Sequence, residues 1–141
     1  MKTVLVVEDD RKISLALAVR LKSSGYRVLA AYDALAGLTL AARHEPDLVV
    51  LDIAMPAGDG LDVAEKIQNR NNTVGTPMII ITASREPGLK ERATELGAVA
   101  YFEKPFRASN FLAAVRYALR EEAPNDAVAH RTTPEPIRGA S

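Results

Sequence analysis

No cysteine occurs among the 141 residues of this chain, which removes a disulfide frame, a thiolate nucleophile and a cysteine-based zinc site. Nor does charge of one sign dominate. The 18 basic and 18 acidic residues cancel, so no overall field draws the chain to DNA, RNA or anionic lipid. Histidine is scarce, and His44 and His130 read as surface positions rather than phosphate carriers. No apolar run approaches the roughly 20 residues that a membrane helix needs. Met1-Lys2-Thr3 leads into a short apolar run that ends in acids, unlike a signal peptide, so the cytoplasm is the expected compartment. What remains is ordinary globular material, 48% apolar and 26% charged, at a length suited to one domain with a real core.

The chain is organised around Asp47 to Gly60. Leu48 to Leu51 are four consecutive apolar residues, too few for a helix and unalternating, as expected of a strand covered on both faces. Pro56, Gly58 and Gly60 then break the chain, leaving Asp52 where strand gives way to loop. Val4 to Val7 is a second buried strand, closed by Glu8-Asp9-Asp10. From Arg11 to Ser24 the spacing predicts a helix with Ile13, Ala16, Leu17 and Leu21 inward, Asp10 as its cap and Gly25 as its stop. Tyr26 to Ala31 is a weaker strand. Asp33 caps a helix to about Arg43, and Leu61 to about Asn69 forms the next. Met78 to Thr82 is the fourth strand. Pro87 is placed in the first turn of a helix running to Leu96, with Gly97 as its stop. Val99 to Phe102 and a helix from about Ala108 to Glu121 complete the pattern, the helix turning Phe111, Leu112, Val115 and Leu119 inward. Beyond Ala123 the pattern fails, and 123–141 reads as a disordered tail with no effector domain. Strand and helix alternate five times, so the expected fold is α/β: one (βα)5 domain over 1–122, a parallel sheet with helices on both faces.

In a parallel sheet every carboxyl end points the same way, and ligands bind at that edge. If strands one, three and four are neighbours, Glu8, Asp9, Asp10, Asp52 and Thr82 converge there, with Lys104 following strand five. Two carboxylates about 4 Å apart repel by about 4 kcal/mol at an effective dielectric of 20. One lysine does not neutralise them all. An oxygen-only acidic cluster selects a hard divalent cation such as Mg²⁺, or Mn²⁺. Metal, carboxylate, lysine and hydroxyl together suit phosphoryl transfer, the carboxylate attacking phosphorus while cations meet the equatorial oxygens.

These segments resemble the receiver domain of two-component response regulators, from about Thr3 to Glu121. The resemblance is carried by Val6-Val7-Glu8-Asp9-Asp10, by Pro46-Asp47 through Leu51-Asp52 with Pro56 and Gly60-Leu61, by Ile80-Ile81-Thr82-Ala83, by Leu96-Gly97-Ala98, and by Ala100 through Phe106. It implies a doubly wound sheet of strand order 2-1-3-4-5. It further implies that Asp52 is the phosphoacceptor, supplied by a sensor histidine kinase or a histidine phosphotransfer protein. Asp9 would ligate Mg²⁺ directly, with Asp52 beside it, Glu8 through water and Ala54 by its backbone carbonyl. Lys104 would hold the phosphoryl oxygens, the Ala83 N–H would bind one, and Thr82 would swing to another. Tyr101 would turn inward into the vacated space. The Lys104-Pro105 bond would be cis, aiming Lys104 into the site. The surface of the fourth helix, fifth strand and fifth helix would then bind a protein partner or a second copy of the chain, not nucleic acid or membrane. Such a chain is a regulatory phosphoacceptor, not a turnover enzyme.

The chain departs from the family pattern at Ala54 and Ser84, two positions that modulate phosphoryl lifetime, and at Arg107, which stands where a helix-capping residue is common. Helix five would accordingly start one turn later, capped by Ser109. Asp59 and Asp62 read as loop and helix-start acids. Arg85, Lys90, Arg92 and Arg107 read as a solvated face more than a docking patch. Two competing functions are weaker. An aspartyl-phosphate phosphatase of the haloacid-dehalogenase type needs its nucleophile on strand one in an Asp-x-Asp motif. A docking module that never takes phosphate would lack an acid, the Thr or the Lys.

Overall fold

Apolar strand residues without alternation demand cover on both sides, and that demand shapes the whole molecule. A computed structural model describes residues 1–55 and 60–121. The strands β1 (Thr3–Val7), β2 (Arg27–Ala31), β3 (Leu48–Asp52), β4 (Met78–Thr82) and β5 (Ala98–Glu103) alternate with helices α1 (Arg11–Ser23), α2 (Ala34–His44), α3 (Gly60–Gln68), α4 (Leu89–Glu95) and α5 (Ala108–Ala118). All strand pairs are parallel, in the order β2-β1-β3-β4-β5. The (βα)5 fold and its strand order are as expected. The expected tail, 123–141, lies outside the described residues, as do Pro56, Gly58 and Asp59 of the loop after β3.

Side chains of successive strand residues point to opposite faces, which splits the core in two. Leu5, Val7, Val49, Leu51, Met78 and Ile80 pack under α2, α3 and α4. Val4, Val6, Leu48, Val50, Ile79 and Ile81 pack under α1 and α5. In β5 the alternation slips. Met78 pairs with Ala98 but Ile79 with Ala100, an irregularity that accommodates Val99 as an extra residue. Ala98 and Tyr101 thereby share the α4 side, while Ala100 and Phe102 face α5. The slip decides which way Tyr101 points.

Several element boundaries differ from expectation for local reasons. Pro87 does not open α4: Gly88, at φ 87°, occupies the N-cap position with a left-handed backbone, and the helix begins at Leu89. Arg107 precedes α5 in extended conformation with no side-chain cap, and the Phe111 N–H reaches its carbonyl, so the helix starts at Ala108 rather than a turn later with Ser109 as its cap. That helix also ends earlier, at Ala118, after which Arg120 turns left-handed at φ 57°. Glu121 then accepts from the Tyr26 hydroxyl at 2.6 Å, tying the chain after α5 to the start of β2. On α1 the buried stripe is Ser14, Leu17 and Leu21, while Ala16 is exposed.

Gly60 has a different reason from the turn glycines. A Cβ there would lie 2.2 Å from the Ile53 Cα, a backbone atom with nowhere to go. At Gly25, φ +96°, the surroundings are open and only the backbone conformation objects. Gly60→Ala should therefore cost on the order of 3 kcal/mol through overpacking, and Gly25→Ala about 1 kcal/mol through left-handed strain. Urea unfolding at unchanged m measures both; equal costs would contradict the assigned reasons.

Candidate functional site

The carboxyl ends of β1, β3 and β4 and the segment after β5 meet at one edge, as parallel pairing requires. The parallel register holds β1 and β3 side by side, Val7 opposite Leu51, so the residues that follow, Glu8 and Asp52, stand together. Glu8 is completely buried and Asp52 nearly so, while Asp9 is exposed. Carboxylate oxygens of all three lie within 4.8 Å of one another. Lys104 reaches across from beyond β5: its Nζ donates to Glu8 Oε1 at 2.6 Å and to Asp52 Oδ2 at 3.0 Å. Asp52 Oδ1 accepts from the Ala54 N–H at 2.8 Å, and Glu8 Oε2 from the Asp10 N–H at 3.1 Å.

Charge at this edge does not balance. Three carboxyl groups face one ammonium, an excess of two negative charges when all three are ionised. Burial, and next to it Asp52, push the Glu8 carboxyl up to about 7, against the lowering by Lys104 and the Asp10 N–H. Burial disfavours the charged form of Lys104 too, but its hydrogen bonds to Glu8 and Asp52 outweigh that and hold it above its ordinary value. Hard oxygen donors, close spacing and excess negative charge fit a divalent cation held by Glu8, Asp9 and Asp52.

Thr82 ends β4, fully buried, and its Oγ1 accepts from the Ser84 N–H at 3.0 Å. Ala83 follows at the same edge. Tyr101 is only 5% exposed and packs with the α4-side core. Burial, then Glu103 and Glu91, hold its hydroxyl above the ordinary tyrosine value. The contact observed for Ala54 is through its N–H. The Lys104-Pro105 bond is cis. The next segment is held by Phe106, whose ring lies 5.3 Å from Phe102 and 5.7 Å from Phe111.

Other acids and bases resolve into local duties. Asp10 caps α1, accepting from the Lys12 and Ile13 N–H groups, and Asp62 pairs with Lys66 at 3.0 Å. Arg85 is not a free basic residue: it pairs with Glu103 at 2.6 Å. Arg11 stacks 3.9 Å above the Tyr32 ring centroid. Neither pairing was legible beforehand, because each joins segments whose spacing in the sequence carries no periodic signal.

A folded carboxyl held at about 7 against an ordinary 4.5 binds its proton more tightly than the unfolded chain does. Its contribution to stability is complete below about pH 4.5 and is lost as pH rises through about 7. In the presence of a chelator, the stability of the natural chain relative to Glu8→Gln should therefore fall across that interval. Urea titrations at stepped pH read the difference; a flat or rising one would contradict the assignment.

Residues 4–116 match the response regulator receiver domain. The transcriptional regulatory protein PdtaR of Mycobacterium tuberculosis is 37% identical over 119 residues, covering 84% of this chain and 57% of PdtaR. The phosphate regulon transcriptional regulatory protein PhoB of Pseudomonas aeruginosa is 33% identical over 128 residues, covering 91% of this chain and 56% of PhoB. The chain thus spans little more than half the length of these relatives. Among solved structures, a CheY-like response regulator receiver domain protein from Methanospirillum hungatei superposes with a TM-score of 0.80 at 27% identity, covering 85% of this chain and 94% of its own. The non-phosphorylated receiver domain of HemR from Leptospira biflexa gives 0.78 at 32% identity, covering 88% and 98%. Sequence match, strand order and acid-lysine edge agree, and the chain belongs to the family of response regulator receiver domains.

Proposed function

We propose that the chain is a switch operated by phosphorylation of Asp52. The observation that carries this reading is the Lys104 ammonium held between Glu8 and Asp52, at 2.6 and 3.0 Å. It puts a fixed positive charge beside the one carboxylate that ends β3. An oxygen of Asp52 attacks phosphorus as the bond from phosphorus to a histidine nitrogen of a sensor kinase or phosphotransfer protein breaks. The nitrogen keeps the bonding electron pair. Lys104 meets the negative charge on the phosphoryl oxygens, and the Ala83 N–H and the Thr82 hydroxyl serve as further donors from the end of β4. Glu8, Asp9, Asp52 and the Ala54 carbonyl are the groups that would hold Mg²⁺ or Mn²⁺. When bound, that ion supplies positive charge to the phosphoryl oxygens and relieves the repulsion among the acids.

Phosphorylated Asp52 carries about two negative charges at the edge where the carboxylate carried one. For Thr82 to turn toward it, its hydroxyl must give up the hydrogen bond it accepts from the Ser84 N–H, which loosens the segment leading to α4. Tyr101, which packs on the α4 side of the core, then turns into the space that Thr82 leaves. The surface of α4, β5 and α5 then differs between the two states. A protein partner, or a second copy of the chain, that prefers one state shifts the population toward it. The chain catalyses only its own phosphorylation and dephosphorylation, and the net charge of zero offers no general attraction to nucleic acid. Among the described residues, no helix is long and apolar enough to cross a membrane.

Incubation with Mg²⁺ and acetyl phosphate should add one phosphoryl group, found at Asp52 by mass spectrometry of its peptides. Asp52→Asn and chelation should each abolish it. Phosphate on a serine, threonine or histidine, or none, would sink the reading.

A further inference from the structure

Arg85 lies between β4 and α4, outside the group of residues assigned above to phosphoryl transfer. Its Nη1 donates to Glu103 Oε1 at 2.6 Å, and its Nη2 to the Lys104 carbonyl at 3.4 Å. The Lys104 N–H, in turn, donates to the Thr82 carbonyl at 2.8 Å. Both backbone polar groups of Lys104 are thus engaged by one short segment, Thr82 to Arg85. That segment is itself folded by local bonds, Ser84 N–H to Thr82 Oγ1 at 3.0 Å and Glu86 N–H to Ser84 Oγ at 3.2 Å. The backbone so held carries the ammonium that bridges Glu8 and Asp52.

The side chains of Arg85 and Glu103 are 64% and 43% exposed. An ion pair that open to water adds little to stability. Its geometry matters more, because misplacing a charged group by a fraction of its contact distance affects a reaction far more than it affects folding. We propose that Arg85 and Glu103 are positioning residues for Lys104, and that they set the rates at which Asp52 gains and loses a phosphoryl group. This rests on the phosphoacceptor reading of Asp52.

In the gain, an Asp52 oxygen–phosphorus bond forms while the donor's bond to phosphorus breaks, and the donor leaves with the electron pair. In the loss, a water oxygen attacks phosphorus and the bond to Asp52 breaks. The carboxylate is restored, and inorganic phosphate and a proton are released. Lys104 faces the phosphoryl oxygens in both directions, so a misplaced Lys104 slows both. A merely looser edge does the opposite to the loss, since it admits water.

The test uses the full chain with Mg²⁺ and acetyl phosphate, followed by donor removal and measurement of the first-order loss. Arg85→Gln and Glu103→Gln should each lower both rate constants together, by about two- to fivefold. The double variant should be no slower than either single one. Arg85→Lys, which keeps the charge toward Glu103, should fall between. Unchanged rates, a faster loss, or additive single effects would overturn the proposal. Hydrogen exchange at the Lys104 amide gives a readout that needs no phosphorylation: it should quicken in Arg85→Gln, and unchanged exchange also overturns the proposal. Should the natural chain take up no phosphoryl group, the phosphoacceptor reading falls. The rate claim falls with it, and the exchange then decides alone whether Arg85 positions Lys104.

Discussion

One ammonium held between two carboxylates governs this structure. Lys104 joins the ends of β1 and β3 from beyond β5, at 2.6 Å to Glu8 and 3.0 Å to Asp52. Without it, Glu8 would be a fully buried charge beside a second carboxylate and near a third. With it, the three acids still outnumber the ammonium by two when all are ionised. That residual imbalance makes the edge receptive to a divalent cation and, on the reading proposed here, to a phosphoryl group arriving with one. Burial above all, with Asp52 beside it, keeps the Glu8 carboxyl pushed up to about 7.

The rest of the fold can hold such a cluster because its core is large and two-sided. Repulsion between two acids about 4 Å apart is about 4 kcal/mol at an effective dielectric of 20. Fully burying one branched aliphatic side chain returns about 1.5–3 kcal/mol. Two or three of the strand residues that are wholly inaccessible, such as Val6, Val50 and Ile81, therefore match the electrostatic cost. The surplus core lets the edge be arranged for binding rather than for stability. The slipped register at Val99 also bears on the site, since it turns Tyr101 to the α4 side of the sheet.

Most of the architecture was legible because its signals are strong and repeated. Leu48 to Leu51 and Met78 to Ile81 are unalternating runs that only a strand with both faces covered explains, and all eight residues are inaccessible. The acid-lysine edge followed once parallel pairing placed every carboxyl end together. Three kinds of feature escaped. Helix starts at Leu89 and Ala108 depended on the backbone angles of Gly88 and Arg107, where propensity alone favoured other choices. The side of the sheet that Tyr101 faces depended on one extra residue in β5, which alternation over four residues did not resolve. The Arg85–Glu103 pair joins exposed residues 18 apart in sequence, where composition offers only a charged surface.

The central claim is that Glu8, Asp9 and Asp52 form a site short of positive charge that a small divalent cation completes. Thermal unfolding of the natural chain in Mg²⁺, set against NaCl of equal ionic strength, tests it most directly, because a ion bound only by the folded state raises the midpoint in proportion to the logarithm of its excess over Kd. A midpoint that rises with Mg²⁺ beyond the salt control is the predicted result. Coincident curves in the two salts would contradict the account.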